Sequence, residues 1–147
     1  MSIDSLNWKI LQCLQEDARI SNSEIGRRVG VSSPAVSERI KKMEDAEVIE
    51  GYKAFISPIE AGYQLKAIIT LRAFMGMLKP FLEKVTTYNE VINCYRITGN
   101  ENIVMEVILK NQRHLESFID QLIVYGETKT QIVLSQVVKH NEIKPLS

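Results

Sequence analysis

The sequence predicts an α+β chain of two domains, a winged-type helix-turn-helix domain followed by a βαββαβ ferredoxin-like domain. Three observations predict it. The first 44 residues place apolar side chains at helical spacing on both sides of a Gly30 turn. From Leu65 onward, strand-like and helix-like patterns follow one another in βαββαβ order. Between them, residues 57–64 (SPIEAGYQ) break both patterns with proline and glycine.

Asp4 is positioned to cap a first helix, which carries Leu6, Ile10, Cys13 and Leu14 at helical spacing and ends near Asp17. Trp8 reads as a packing residue. Ser21 followed by Glu24 has the form of a capping box, so a second helix starts there, with Ile25 and Val29 inward and Gly26 leaving room for a close crossing. Gly30 supplies the permissive backbone that ends it. A third helix opens at about Ser33, with Pro34 in its first turn, and Val36, Ile40 and Met43 form its buried stripe. Outside the stripe lie Ser33, Ser37 and Lys41 on one flank, Ala35, Arg39 and Lys42 on the other, and Glu38 opposite. Small and polar residues therefore precede the cations, as suits a helix whose first turns meet base edges and whose later turns meet phosphates. The plain alternative is a solvated amphipathic helix with Glu38 and Lys42 as an i, i+4 pair.

Residues 47–57 hold Val48, Ile49, Tyr52, Phe55 and Ile56, a β-prone set stopped by Pro58. A lone strand there needs a partner, either as a wing or as the same strand of another copy. In the second half, strands are predicted over 65–74, 91–98, 103–110 and 129–139, helices over 77–87 and 112–125, and a turn over 99–102. Both faces of two strands are apolar: Val104 and Ile108 back Ile103, Met105, Val107 and Leu109, while Val133 and Val137 back Ile132, Leu134 and Val138. With helices on one side only, the other face calls for a second chain and hence a twofold dimer. The expected division is 1–57 for the helix-turn-helix domain with a dimer-pairing strand, 58–64 for the linker, and 65–147 for the ferredoxin-like domain.

With 45% hydrophobic and 24% charged residues in 147, the chain has the composition of a soluble globular protein. No run is long enough to span a bilayer and the N-terminal residues do not form a secretion signal, so a cytoplasmic location without membrane contact is expected. The net charge is zero, yet between Arg19 and Lys42 six cations face only Glu24 and Glu38. A weakly basic face on a neutral chain implies modest affinity for DNA per copy, and gain by presenting several copies. Cys13 and Cys94 read as free thiols. His114 and His140 read as surface residues and have no cysteine or carboxylate at metal-ligand spacing, so no metal, cofactor or catalytic residue is assigned.

The stretch LQEDARISNSEIGRRVGVSSPAVSERIKKMEDAEVIEGYKAFISP followed by NCYRITGNENIVMEVIL resembles the Lrp/AsnC family of feast/famine transcriptional regulators over nearly the whole chain. The resemblance implies an N-terminal domain that binds double-stranded DNA and a C-terminal domain that oligomerises and binds an amino acid effector. Dimers through the C-terminal sheets, assembling further into rings, usually octamers, are also implied. By that likeness the effector binds near the turn Thr98, Gly99, Asn100, Glu101 and Asn102, where the family often has aspartate in place of Asn102. An amide there still accepts a hydrogen bond but lacks the charge that attracts an α-ammonium group, and Glu101 is placed to compensate. A plain hairpin turn explains the same residues.

The leading reading is a transcription regulator responsive to a free amino acid. Ser33, Ala35, Ser37 and Glu38 would face bases, and Arg28, Arg39, Lys41 and Lys42 would face phosphates. Two alternatives stand beside it: an architectural DNA-binding protein without an effector, and an enzyme similar to the siroheme decarboxylases, which share the layout but would need a histidine and bases around a tetrapyrrole.

Overall fold

A computed structural model describes residues 1–147. The chain divides into two compact units, one formed by Met1–Ala54 with Val138–Ser147 and the other by Phe55–Val137. This division departs from the expected one at three places, the first being residues 55–57, which fall in the second unit. Residues 58–64 are a hydrogen-bonded turn within the second unit, with Tyr63 N–H donating to Pro58 O at 2.8 Å, and the last ten residues belong to the first unit.

The first unit is three helices, α1 (Ser5–Glu16), α2 (Asn22–Val29) and α3 (Ser33–Asp45). Each begins on a side-chain cap. Asp4 accepts from Asn7 N–H at 2.7 Å, Ser21 from Glu24 N–H at 3.1 Å, and Ser32 from Ala35 N–H at 3.3 Å. Ile10, Leu11, Cys13, Ile25, Val36, Ile40 and Met43 form the core, and Trp8 packs at its margin. Between α2 and α3, Gly30 adopts φ +81° and its N–H donates to Gly26 O at 2.8 Å. Gly26 is held for a different reason from the expected helix crossing. A Cβ there would run into the carbonyl of Val31, so the turn itself folds back onto that position.

Beyond α3, Val48 and Ile49 donate to Met43 O and pack on the core, while Tyr52, Phe55 and Ile56 are exposed. The strand expected over 47–57 does not form within the chain, where these residues pair with no strand of the sheet.

In the second unit β1 (Leu65–Ala73), α4 (Leu78–Val85), β2 (Val91–Arg96), β3 (Ile103–Leu109), α5 (Gln112–Leu122) and β4 (Gly126–Ile132) follow in order. The sheet order is β2-β3-β1-β4, antiparallel at every pairing, as the split β-α-β arrangement requires. Phe81 and Val85 from α4 and Phe118 and Leu122 from α5 cover Ala67, Ile69, Leu71, Ile103, Met105, Val107 and Leu109. The opposite face is apolar at Ile68, Val104 and Ile108, and the register surrounds them with Asn93, Glu106, Glu127 and Lys129.

The last strand lies earlier than predicted. Its register is set by Ala73 opposite Gly126 and Arg72 opposite Glu127, and it ends at Ile132, the first residue of the apolar run that drew the expectation to 129–139. That run remains outside: Leu134 is 97% and Val137 92% exposed.

Candidate nucleic-acid interface and ligand groove

The buried stripe of α3 turns Ser37, Glu38, Lys41 and Lys42 outward, with Ser33 and Ala35 half-buried at its start. Both lysines lie along the helix in i, i+4 pairs, Lys42 with Glu38 at 3.0 Å and Lys41 with Asp45 at 3.4 Å. Exposed pairs of this kind are worth about 0.3–0.5 kcal/mol, so a phosphate displaces the carboxylates at little cost. The two arginines expected at phosphates are placed differently. Arg28 folds back onto Glu24 at 3.0 Å, with Glu16 at 3.9 Å. Arg39 reaches across to α1, where its Nη1 meets Asp4 Oδ2 at 2.9 Å and Asn7 Oδ1 at 3.0 Å.

The capping box at the start of α2 is half formed. Ser21 caps as expected, but the Glu24 carboxylate turns to Arg27 at 2.6 Å and to Arg28 instead of returning to the backbone. Hydrogen bonds from Arg27 and then Arg28 lower its pKa to about 2. Arg27, one of the six cations between Arg19 and Lys42, is well exposed beside it.

In the second unit the turn predicted to hold an effector splits. Asn100 and Glu101 line a groove of about 170 Å³ with Arg72, Glu127, Thr128 and Lys129. Two ion pairs bridge it, Arg72 with Glu127 at 2.7 Å and Lys129 with Glu101 at 2.9 Å, and the lysine hydrogen bond holds the Glu101 carboxyl below its ordinary range. Thr98 and Gly99 are exposed and outside its lining. Asn102 is occupied structurally: its Oδ1 accepts from Ala73 N–H at 2.7 Å, and its own N–H donates to Leu71 O at 3.0 Å. Arg72, Glu127, Thr128 and Lys129 were not legible as lining residues, because only the pairing of β1 with β4 brings them to the turn.

His114 is half-buried rather than a surface residue. Its Nδ1 accepts from Lys110 N–H at 3.0 Å and its Nε2 lies 3.1 Å from Glu90 Oε1. An acceptor Nδ1 leaves the proton on Nε2, so the ring ties the start of α5 to the segment before β2. Cys13 and Cys94 are free, and burial pushes the Cys94 thiol up. No three His, Cys, Asp or Glu side chains cluster as metal ligands, and no helix is long and apolar enough to cross a membrane.

A helix-turn-helix unit joined to an α+β unit with a polar groove defines a DNA-binding regulator with a ligand-binding domain. Residues 3–44 match the AsnC-type helix-turn-helix domain and residues 66–143 the Lrp/AsnC ligand binding domain. The chain belongs to the Lrp/AsnC family of transcriptional regulators. It is 31% identical over 140 residues to the HTH-type transcriptional regulator LrpB of Bacillus subtilis, across 95% of this chain and 94% of that one. Among solved structures it resembles AsnC of E. coli, at 28% identity and TM-score 0.88, covering 99% of this chain and 100% of that one. It also resembles a Neisseria meningitidis transcriptional regulator in complex with L-Met, at 25% identity and TM-score 0.88, with 94% of each chain covered.

Proposed function

We propose that this regulator binds promoter DNA in the cytoplasm through α3 and changes its assembly or DNA affinity when a free amino acid occupies the groove at Asn100 and Glu101. The observation that carries the amino-acid reading is the charge pattern of that groove, where Arg72 and Lys129 stand beside Glu101 and Glu127. A zwitterion offers a carboxylate to such cations and an ammonium group to such carboxylates. At about 170 Å³ the groove is smaller than the ~300–1,000 Å³ of ordinary ligand pockets, so a second copy completes it. Self-association is supported further by the exposed run at Leu134, Val137 and Val138 and by the exposed side chains of Tyr52 and Ile56. We extend this reading to homodimers that assemble into an octamer, which offsets the weak charge of each DNA-binding unit.

Base contacts are assigned to Ser33, Ala35, Ser37 and Glu38, and phosphate contacts to Lys41 and Lys42. Effector binding acts by differential affinity for two states of the assembly. One observation favours an architectural protein with no effector instead: Asn102 is spent on Ala73 and Glu101 is neutralised by Lys129.

Fluorescence anisotropy of a duplex from upstream of the protein's own gene, titrated at fixed salt with and without each of the twenty amino acids, separates these readings. A shift with one or two amino acids supports the sensor. Tight binding indifferent to all twenty supports the architectural protein, and no binding at moderate salt overturns both.

A further inference from the structure

Resting on the reading of α3 as the DNA-contacting helix, we infer that Arg39 is a positioning residue that sets α3 against α1 through Asp4 and Asn7, and is not one of the phosphate contacts. Asn7 is buried, 3% exposed, and its Oδ1 accepts from Arg39 Nη1 at 3.0 Å. The same nitrogen lies 2.9 and 3.2 Å from the two Asp4 oxygens, and Asp4 Oδ1 also caps α1 through Asn7 N–H at 2.7 Å. One cation thus joins the cap of α1, a buried amide in its first turn, and the middle of α3.

The distinction from Lys41 and Lys42 lies in what each leaves behind. When either lysine swings to a phosphate it releases an exposed carboxylate, which water takes over at once. When Arg39 swings away it strands the Asn7 oxygen in a buried place with no other donor, and a buried acceptor without a partner is costly. Lys41 and Lys42 are therefore free to follow DNA, whereas Arg39 is held to α1. Because α1 and α3 also share the apolar core of Ile10, Val36, Ile40 and Met43, which is non-directional, the polar triad is what fixes their rotation.

The test uses the full chain and the same labelled duplex, with Asp4→Asn, Arg39→Met, the double variant and S37E/K41E. Asparagine still caps α1, so Asp4→Asn removes the charge without removing the cap. Binding is measured as a function of salt, at a temperature where circular dichroism shows each variant folded. Asp4→Asn and Arg39→Met are each expected to weaken binding about tenfold, the scale of one lost base contact, with the salt dependence unchanged. The double variant is expected to bind as Arg39→Met does, because the two residues act as one unit.

Asp4→Asn binding as well as the parent, together with Arg39→Met lowering the slope of log K against log salt by about 0.9, would make Arg39 a phosphate contact and overturn the proposal. Folded variants of unchanged affinity but lower melting temperature would overturn it in favour of a purely stabilising role. Normal binding by S37E/K41E would overturn the assignment of α3 itself, and the proposal with it. Should Arg39→Met fail to fold, Asp4→Asn decides alone.

Discussion

The side-chain oxygen of Asn102 accepts a hydrogen bond from the backbone N–H of Ala73 at 2.7 Å. This bond fastens the turn before β3 to the end of β1. Asn102→Ala is expected to destabilise the chain by about 1–3 kcal/mol, read from urea unfolding, because a partly buried N–H loses its acceptor. Asn102→Asp keeps an acceptor and is expected to stay within about 1 kcal/mol of the parent. Equal losses from both would show that the amide N–H₂ matters instead.

Acid should loosen the helix-turn-helix unit at Glu24. Its pKa falls from an ordinary 4.5 to about 2 because Arg27 and Arg28 favour the charged form, and Asn7 N–H and then Arg39 lower Asp4 in the same direction. A depressed carboxylate stabilises the fold fully above its unfolded pKa and ceases to do so as pH falls through its folded pKa. Melting temperature should therefore decline between about pH 4.5 and about pH 2. Glu24→Gln should flatten that decline, and an identical acid limb in the variant would remove Glu24 as its source.

Gly26→Ala and Gly30→Ala should differ in severity. An added Cβ at Gly26 meets the Val31 carbonyl, which cannot yield without opening the turn, and overpacking of this kind costs about 1–3 kcal/mol. At Gly30 there is open space, and the penalty is the left-handed backbone alone, about 1–2 kcal/mol. Only Gly26→Ala should also abolish DNA binding, since it displaces α3 relative to α2. The reverse order of DNA affinities would refute this.

The returning tail should be felt by the single tryptophan. Gln15 Nε2 donates to Ile143 O at 3.0 Å and Ile143 N–H donates to Gln15 Oε1 at 2.8 Å, while Trp8 and the tail line an open cavity of about 600 Å³. Removing residues 138–147 should shift Trp8 emission to the red and lower the melting temperature of the first unit. Gln15→Ala should do the same to a smaller degree. An unchanged spectrum would mean that the tail does not dock in solution.

Much of this fold is legible in the sequence, and the exceptions share a physical cause. All five helices lie within a turn of their predicted positions, because each buries one stripe, as Val36, Ile40 and Met43 do. β4 is the strand that moved. It is an edge strand of sequence GETKTQI held by cross-strand pairs such as Arg72 with Glu127, so it lacks the apolar signature that periodicity detects. The candidate sites were legible in outline only. Lys41 and Lys42 stand where helical spacing puts them, and Arg28 pairs with Glu24 one turn away, but the commitments of Arg39 and Asn102 depend on groups distant in sequence. Pairing between Asp4 and Arg39, 35 residues apart, has no local pattern to announce it.

Val138–Ser147 completes the first unit after the chain has traversed the second, so the helix-turn-helix unit is discontinuous in sequence. The ligand-binding unit is, in connectivity, an insertion within it. A hybrid regulator made by exchanging residues 1–57 between two family members would pair the helices of one parent with the tail of the other. Functional exchange should require both ends of the chain to be moved together, and compatibility between positions 15 and 143 is the first thing to match.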